Sequence, residues 1–190
     1  DEQSFTLDTN KLSDVLTDKT KGIMPVHLYG HPAHMDDVMA FAKEHNLFVL
    51  EDACQAHGAE YNDVKVGSIG NAGCFSFYAS KNMTVAGDGG MVITNDDVIT
   101  EQVRMLRDHG RKARYEHAKV GYNLRFNEIN AAVGLGQLKK LDEFITKRRQ
   151  VAELYRQKLK GQTHITLPRE QWGKHAYHLF VIRAPKRDEL

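Results

Sequence analysis

Two short apolar runs, with an amphipathic stretch between them, constrain the fold of this chain most. Residues 22–28 read Gly-Ile-Met-Pro-Val-His-Leu and residues 47–50 read Leu-Phe-Val-Leu. Between them, 36–45 predicts a helix with Val38, Met39, Phe41 and Ala42 on its inner face, ended by Asn46. An unbroken apolar run of this length is typical of a parallel strand covered on both faces. Strand, helix and strand within about 30 residues form a βαβ unit, which is almost always right-handed. The expected class is therefore α/β, with a mostly parallel sheet and helices on both faces. Such sheets bind ligands beyond the carboxyl ends of their strands, and Glu51 and Asp52 stand at one such end.

The rest of the chain extends this pattern. Residues 8–19 predict a short amphipathic helix, and 60–72, rich in Gly, Asn and Asp, a loop or hairpin. Strands are expected over 73–78 and 91–94, and a helix over 96–108 that is basic toward its end, as the helix dipole favours. Residues 109–123 read as an irregular basic loop. Asn127 caps one long helix running to about Lys160 and stopped by Gly161. At 1.5 Å per residue it spans on the order of 50 Å, or less if Gly134 and Gly136 kink it. That length suggests a bridge between two domains: 1–125, then the helix of 126–160, then the start of a small α/β domain over 161–190, with a strand at 177–184.

Composition excludes several classes. With 190 residues, 41% hydrophobic and 27% charged, the chain is ordinary for a globular protein, and its net charge of +1 gives no global case for nucleic acid or membrane as partner. No apolar run approaches the roughly 18 residues of a membrane span and no signal peptide is visible, so the expected location is the cytoplasm. Cys54 and Cys74 are expected to be reduced thiols. Both ends read as internal to a longer chain. The final Arg187-Asp188-Glu189-Leu190 also matches a retention tail, which without a secretory signal is read as coincidence.

The chemistry centres on Gly73-Cys74-Phe75-Ser76-Phe77-Tyr78-Ala79-Ser80-Lys81-Asn82. Phe75 and Phe77 share one strand face, and Cys74, Ser76 and Tyr78 the other. The pattern breaks at Ala79-Ser80. A lysine just past a strand end, with hydroxyls before it and glycines at 87, 89 and 90 after it, suits a phosphate- or carbonyl-bearing ligand; a solvated surface lysine is the plain alternative. Three readings compete for Asp52: a metal ligand, a ribose-binding acid, or the partner of a protonated heterocycle. The first lacks a second acid on its own face, the second lacks an upstream G-x-G-x-x-G, and the third needs a lysine elsewhere, which Lys81 supplies. His27, His31 and His34 have zinc-like spacing but share no helix face. The basic residues of 104–114 could hold a phosphate or form a solvated face.

Several ordered motifs together resemble a known family. They are Glu51-Asp52-Ala53-Cys54-Gln55-Ala56-His57-Gly58, then Gly67-Ser68-Ile69-Gly70-Asn71-Ala72-Gly73, then 75–82, then Gly87-Asp88-Gly89-Gly90, with 27–30, 107–111 and 121–125 in matching order. This set resembles the PLP-dependent sugar-nucleotide aminotransferases of fold type I, from about residue 5 to the end. The resemblance implies that Lys81 forms the Schiff base with pyridoxal 5′-phosphate and moves the proton between substrate and cofactor. It implies that Asp52 pairs with the pyridine nitrogen, that Gln55 lies by the ring and its 3′ oxygen, and that Ser76 donates to the phosphate. Asn123 resembles the asparagine that reaches the neighbouring subunit's cofactor, which implies a homodimer with a shared active site. The substrates the resemblance implies are a nucleotide-linked keto-deoxysugar and an amino-acid donor, glutamate. Asp88 departs from the family's usual Glu but keeps the charge. The family's Gly-Thr/Ser phosphate turn and its stacking aromatic ring belong to an N-terminal part absent from this sequence. Two alternatives stand beside this reading: a PLP-dependent sugar dehydratase, which in the family carries histidine in place of the lysine, and a non-catalytic regulatory relative, which would be marked by loss of the lysine or of Asp52.

Overall fold

The computed structural model describes residues 1–189. Its centre is a four-stranded sheet in the order β1 (Gly22–Ile23), β2 (Phe48–Asp52), β5 (Ala72–Ser76), β6 (Gly90–Ile93). β1, β2 and β5 run parallel, and β6 returns antiparallel to β5. The register pairs Leu50 with Ala72, Glu51 with Gly73 and Asp52 with Cys74. Paired residues share a face, so Asp52, Cys74 and Ser76 stand on one side of the sheet and Val49, Glu51 and Phe75 on the other.

The second side is packed. Helix α2 (Met35–Glu44) sets Met35, Val38 and Ala42 against Val49, and Ile145 joins the same core. α2 carries Asp36 and Asp37 in its first turn and Lys43 in its last, matching the helix dipole. It ends in a Schellman arrangement: Asn46 adopts φ 53°, while the Leu47 and Asn46 N–H groups donate to the Ala42 and Lys43 carbonyls. The side bearing Asp52 is more open, and Phe48 is 40% exposed, so this strand is not covered on both faces as its apolar run suggests.

Several elements differ from the sequence reading. The segment 8–19 forms a 3-10 turn and one short helix, α1 (Leu12–Val15), ending where Leu16 turns extended. The run 22–28 pairs only at Gly22 and Ile23 and again at Val26, because Pro25 has no N–H to give. The hairpin of β3 (Glu60–Tyr61) and β4 (Val64–Lys65) takes a third strand, β9 (Gly173–Lys174), from far along the chain. Helix α3 (Asp97–Arg107) is capped by Asp96, whose carboxylate accepts from the Val98 and Ile99 N–H groups. The basic loop contains a small hairpin, β7 (Arg111–Ala113) with β8 (Glu116–His117).

Asn127 does cap a helix, accepting from the Asn130 N–H at 2.8 Å. That helix is α4 (Glu128–Leu138), and a separate α5 (Leu141–Leu159) follows. The break comes at Lys139 and Lys140 rather than at the glycines, where the Lys140 N–H turns back to the Gln137 carbonyl. Gly134 serves close packing, 3.4 Å from Val85 at its virtual Cβ. The strand expected over 177–184 does not form. Tyr177 takes φ 45°, and only Arg183 pairs, across a bridge with Thr166. The segment before it returns to the sheet instead: the Trp172 Nε1–H donates to the Pro32 carbonyl, Ala176 N–H to Gly30, and Asn82 Nδ2 to Ala176.

Candidate active site

Asp52 is the last residue of β2 and half-buried. Its backbone continues the ladder, with its N–H on Pro25 and its carbonyl accepting from His27. Of its carboxylate oxygens, Oδ1 accepts from the Cys54 N–H at 3.0 Å, and no described residue bonds the other. Lys81 follows β5 after a turn in which its N–H bonds the Tyr78 carbonyl at 2.9 Å. The Cys54 thiol lies within the fields of both groups. Burial pushes its pKa up to about 12, helped by the hydrogen bond and charge of Asp52, while the Lys81 ammonium pulls the other way. Asp52 and the loop bearing Lys81 thus stand at the carboxyl ends of two adjacent parallel strands, with Cys54 within reach of both charges.

Gln55 is half-buried, and its Oε1 accepts the Tyr29 N–H at 2.7 Å, which leaves Nε2 free to donate. Tyr29 adopts φ 60°, a conformation unusual for a tyrosine. It is held there by Gly30 at φ 95°, whose added Cβ would meet the His178 and Tyr177 nitrogens and the Gln55 carbonyl at 3.0–3.1 Å. Ser76 closes β5 with its Oγ accepting from the Tyr78 N–H at 3.3 Å. Asn123 is exposed and pairs with Asp108 across a bridge in the basic loop. The chain therefore brings Asp52, Gln55, Ser76 and Lys81 to the sheet end and leaves Asn123 on an outer surface.

The opposite face of β2 fixes this end of the sheet. Glu51 is fully buried and its carboxylate accepts four hydrogen bonds, from the N–H groups of Gly67, Ile69 and Gly70 at 2.6–2.7 Å and from His27 Nε2 at 3.0 Å. His27 Nδ1 accepts from Ala33 N–H, so Nε2 is the donor. Burial pushes the Glu51 carboxyl up, but the bonds from His27, Gly70 and Gly67 together hold it below the ordinary carboxylate range. The sequence did carry a signal for this: a carboxylate alternating with Asp52 on a buried strand needs donors, and the glycine-rich 67–70 turn offers backbone N–H groups.

The histidines with zinc-like spacing have other roles. His27 serves Glu51, His31 Nε2 accepts from the Gln171 N–H, and His34 contacts Asp37 and Trp172. No cluster of three or more metal-ligating side chains occurs among the described residues. In the basic loop, Asp108 takes both Arg111 and Arg125. His57 is 2% exposed with neither ring nitrogen bonded, and packs by Phe75 and Phe77. Lys81 also lines a cleft of about 770 Å³ with Arg148 and His178, which no local pattern in the sequence links to it. Asp52, Gln55 and Ser76 lie outside the lining of that cleft. No described helix is long and apolar enough to cross a membrane.

An α/β sheet with an acid ending one parallel strand and a lysine following the next defines the class of protein. Residues 1–190 match the DegT/DnrJ/EryC1/StrS aminotransferase family throughout, and the chain belongs to it. It is 45% identical to a pleiotropic regulatory protein of Geobacillus stearothermophilus, covering all of this chain and 52% of that one. It is 41% identical to the dTDP-3-amino-3,4,6-trideoxy-alpha-D-glucose transaminase of Streptomyces venezuelae, over 97% of this chain and 49% of the relative. The crystal structure of S. venezuelae DesV in complex with a ketimine intermediate superposes with a TM-score of 0.96 at 40% identity, over all of this chain and 51% of DesV. The chain spans about half the length of the curated relatives it matches.

Proposed function

We propose that this chain forms the cofactor-binding core of a cytoplasmic, pyridoxal 5′-phosphate-dependent aminotransferase that moves an amino group from glutamate to the keto carbon of a nucleotide-linked deoxysugar. The observation that carries the reading is the placement of Asp52 and Lys81 at adjacent strand ends, with both acting on the Cys54 thiol. Family membership supplies the cofactor class. The residues suit the group on their own terms: one unbonded carboxylate oxygen on Asp52, a free amide N–H on Gln55, a hydroxyl at the end of β5 and a half-buried amine.

When bound, pyridoxal phosphate would supply an aldehyde for an amine and a pyridine ring able to draw electrons from the substrate carbon that bears the amine. Asp52 would accept from the ring nitrogen and keep it protonated, since opposite charges in contact favour each other's ionised forms. Gln55 Nε2 would donate to the ring oxygen, and Ser76 Oγ would hold the phosphate. Lys81 Nζ would anchor the aldehyde carbon and, once displaced, carry the proton between substrate and cofactor. Asn123, on an outer surface, would reach the phosphate in a second copy, making the protein a homodimer with shared sites. The helices over 126–160 would lead from this core, 1–125, into a second domain beginning at 161.

The test uses full-length protein, pyridoxal phosphate, ¹⁵N-glutamate and nucleotide-linked keto-deoxysugars. We expect ¹⁵N in an amino sugar and 2-oxoglutarate in equal amount. Loss of the keto sugar without glutamate would instead indicate dehydration. The regulatory name of the Geobacillus relative motivates a second reading, a non-catalytic regulator, and it would be favoured if the protein binds the cofactor yet transfers no nitrogen to any sugar tried.

A further inference from the structure

His27 is fully buried and joins three separate segments. Its backbone N–H donates to the Asp52 carbonyl at 3.0 Å, and its carbonyl accepts from the Gly30 N–H at 3.2 Å. Its ring bonds two more groups: Nε2–H donates to Glu51 at 3.0 Å, and Nδ1 accepts from the Ala33 N–H at 3.0 Å. A neutral imidazole carries one donor and one acceptor at separate corners of a rigid ring. Asn and Gln carry both on one carbon, and Ser and Thr on one atom, so none of them can span the same two partners.

The two ring bonds lead to different parts of the candidate site. Through Glu51, Nε2 ties the 67–70 turn to residues 25–27. Those residues hold the outer edge of Asp52: its N–H donates to the Pro25 carbonyl at 2.9 Å, and Val26 pairs with it across a parallel bridge. β5 holds the inner edge. Through Ala33, Nδ1 closes the turn of 28–33 back on His27. That turn presents the Tyr29 N–H to Gln55 Oε1 at 2.7 Å, with Tyr29 at φ 60°. A left-handed tyrosine persists only where its surroundings over-determine it. Here the Gly30 N–H on the His27 carbonyl and the Ala33 N–H on the His27 ring bracket it from both sides. Gln55 lies beyond the end of β2, outside the ladder, and its side chain is oriented by this turn. With Oε1 engaged, only Nε2 can turn toward a ligand.

We infer that His27 is a positioning residue of the cofactor site, setting Asp52 through Nε2 and Gln55 through Nδ1 so that both meet one bound ring. The inference rests on the proposed roles of Asp52 and Gln55; the bonds of His27 stand apart from that reading.

Two variants of the full-length protein separate the arms. His27→Gln keeps a donor for Glu51 near the place of Nε2 and leaves the Ala33 N–H bare. His27→Asn keeps an acceptor for Ala33 near the place of Nδ1 and leaves Glu51 one donor short. In the cofactor-free protein, alkylation of Cys54 by iodoacetamide at about pH 8 reports Asp52, whose charge helps raise that thiol's pKa. His27→Asn should react roughly threefold faster than wild type or more, and His27→Gln at the wild-type rate. In protein loaded with pyridoxal phosphate, the pH midpoint of the visible band reports the bond to the ring oxygen. A donor there favours the ionised oxygen, so misplacing Gln55 Nε2 should raise the midpoint by about half a pH unit or more in His27→Gln. His27→Asn should leave it unchanged. Wild-type values of both readouts in both variants, even with lower resistance to urea, overturn the inference and leave His27 a residue of the frame alone. The same change in both variants overturns it too. Should neither variant fold, hydrogen exchange of the wild type with and without pyridoxal phosphate replaces them. The Tyr29 and Ala33 amides should then exchange several-fold more slowly in the loaded protein, and equal rates are the contrary result. A protein that forms no adduct at Lys81, yet shows the expected Cys54 rates, would refute the aminotransferase reading and leave the Asp52 arm standing.

Discussion

Replacing His57 with phenylalanine should flatten the acid side of the protein's stability curve. The imidazole is 2% exposed and neither nitrogen is bonded, with the Phe75 and Phe77 rings 5.3 and 5.9 Å away. Folding lowers its pKa from 6.5 to about 4, through burial first and then the charge of Lys81. The unfolded chain therefore takes up a proton as pH falls through 6.5, while the folded chain refuses it until about 4. The stability tied to the neutral ring is intact above 6.5 and is lost as pH falls from 6.5 toward 4. Each pH unit in that window is worth about 1.4 kcal/mol, so roughly 2 kcal/mol is gone by pH 5. His175 behaves alike, lowered to about 2 by burial and then by His31 and the nearby arginines, and contributes a similar loss. Together the two remove about 4 kcal/mol, a large part of an ordinary folding free energy.

The assay is urea unfolding of the cofactor-free protein at about pH 7 and pH 5. Wild type should lose about 4 kcal/mol between them and His57→Phe about 2. At pH 7 the variant should be at least as stable as wild type, because a phenyl ring between two phenylalanines leaves no polar atom unpaired. An equal drop in both proteins would refute the reasoning, and so would a wild type whose stability is flat across the interval.

Other substitutions probe the frame of the site. Glu51→Gln sets an amide N–H against groups that all donate, and should cost about 2–4 kcal/mol in urea unfolding; a loss under 1 kcal/mol would mean that the cradle is not needed. Gly73→Ala places a Cβ 2.1 Å from the Gly67 carbonyl oxygen, so the protein should lose about 3 kcal/mol or more, or fail to express in soluble form. Asp52→Asn removes the negative charge that helps raise the Cys54 pKa, so iodoacetamide should alkylate Cys54 several-fold faster near pH 8. An unchanged rate would place the carboxylate too far from the thiol to matter. The same variant should lose amino-transfer activity on the order of 100-fold.

What was legible in the sequence is local. Apolar runs located β2 and the start of β1, the period-two alternation located β5, and the capping residue Asn127 marked a helix start. Lys81 and Asp52 were visible because each interrupts a strand pattern at its carboxyl end. The tertiary contacts were not legible. The α4–α5 break at Lys139 and Lys140 follows from Leu141 and Ile145 turning into the sheet core, which no spacing rule encodes. Tyr177 and its neighbours read as a strand because they are β-branched and aromatic, yet their burial comes from docking on Gly30, Asn82 and Arg148. Arg148 and His178 reach Lys81 only through that docking, so their nearness to it has no counterpart in local pattern.

The central claim is a covalent bond at one amine. Full-length protein loaded with pyridoxal phosphate, reduced with borohydride and digested should yield one phosphopyridoxyl peptide, bearing the label on Lys81. A label on another lysine, or none, contradicts the account.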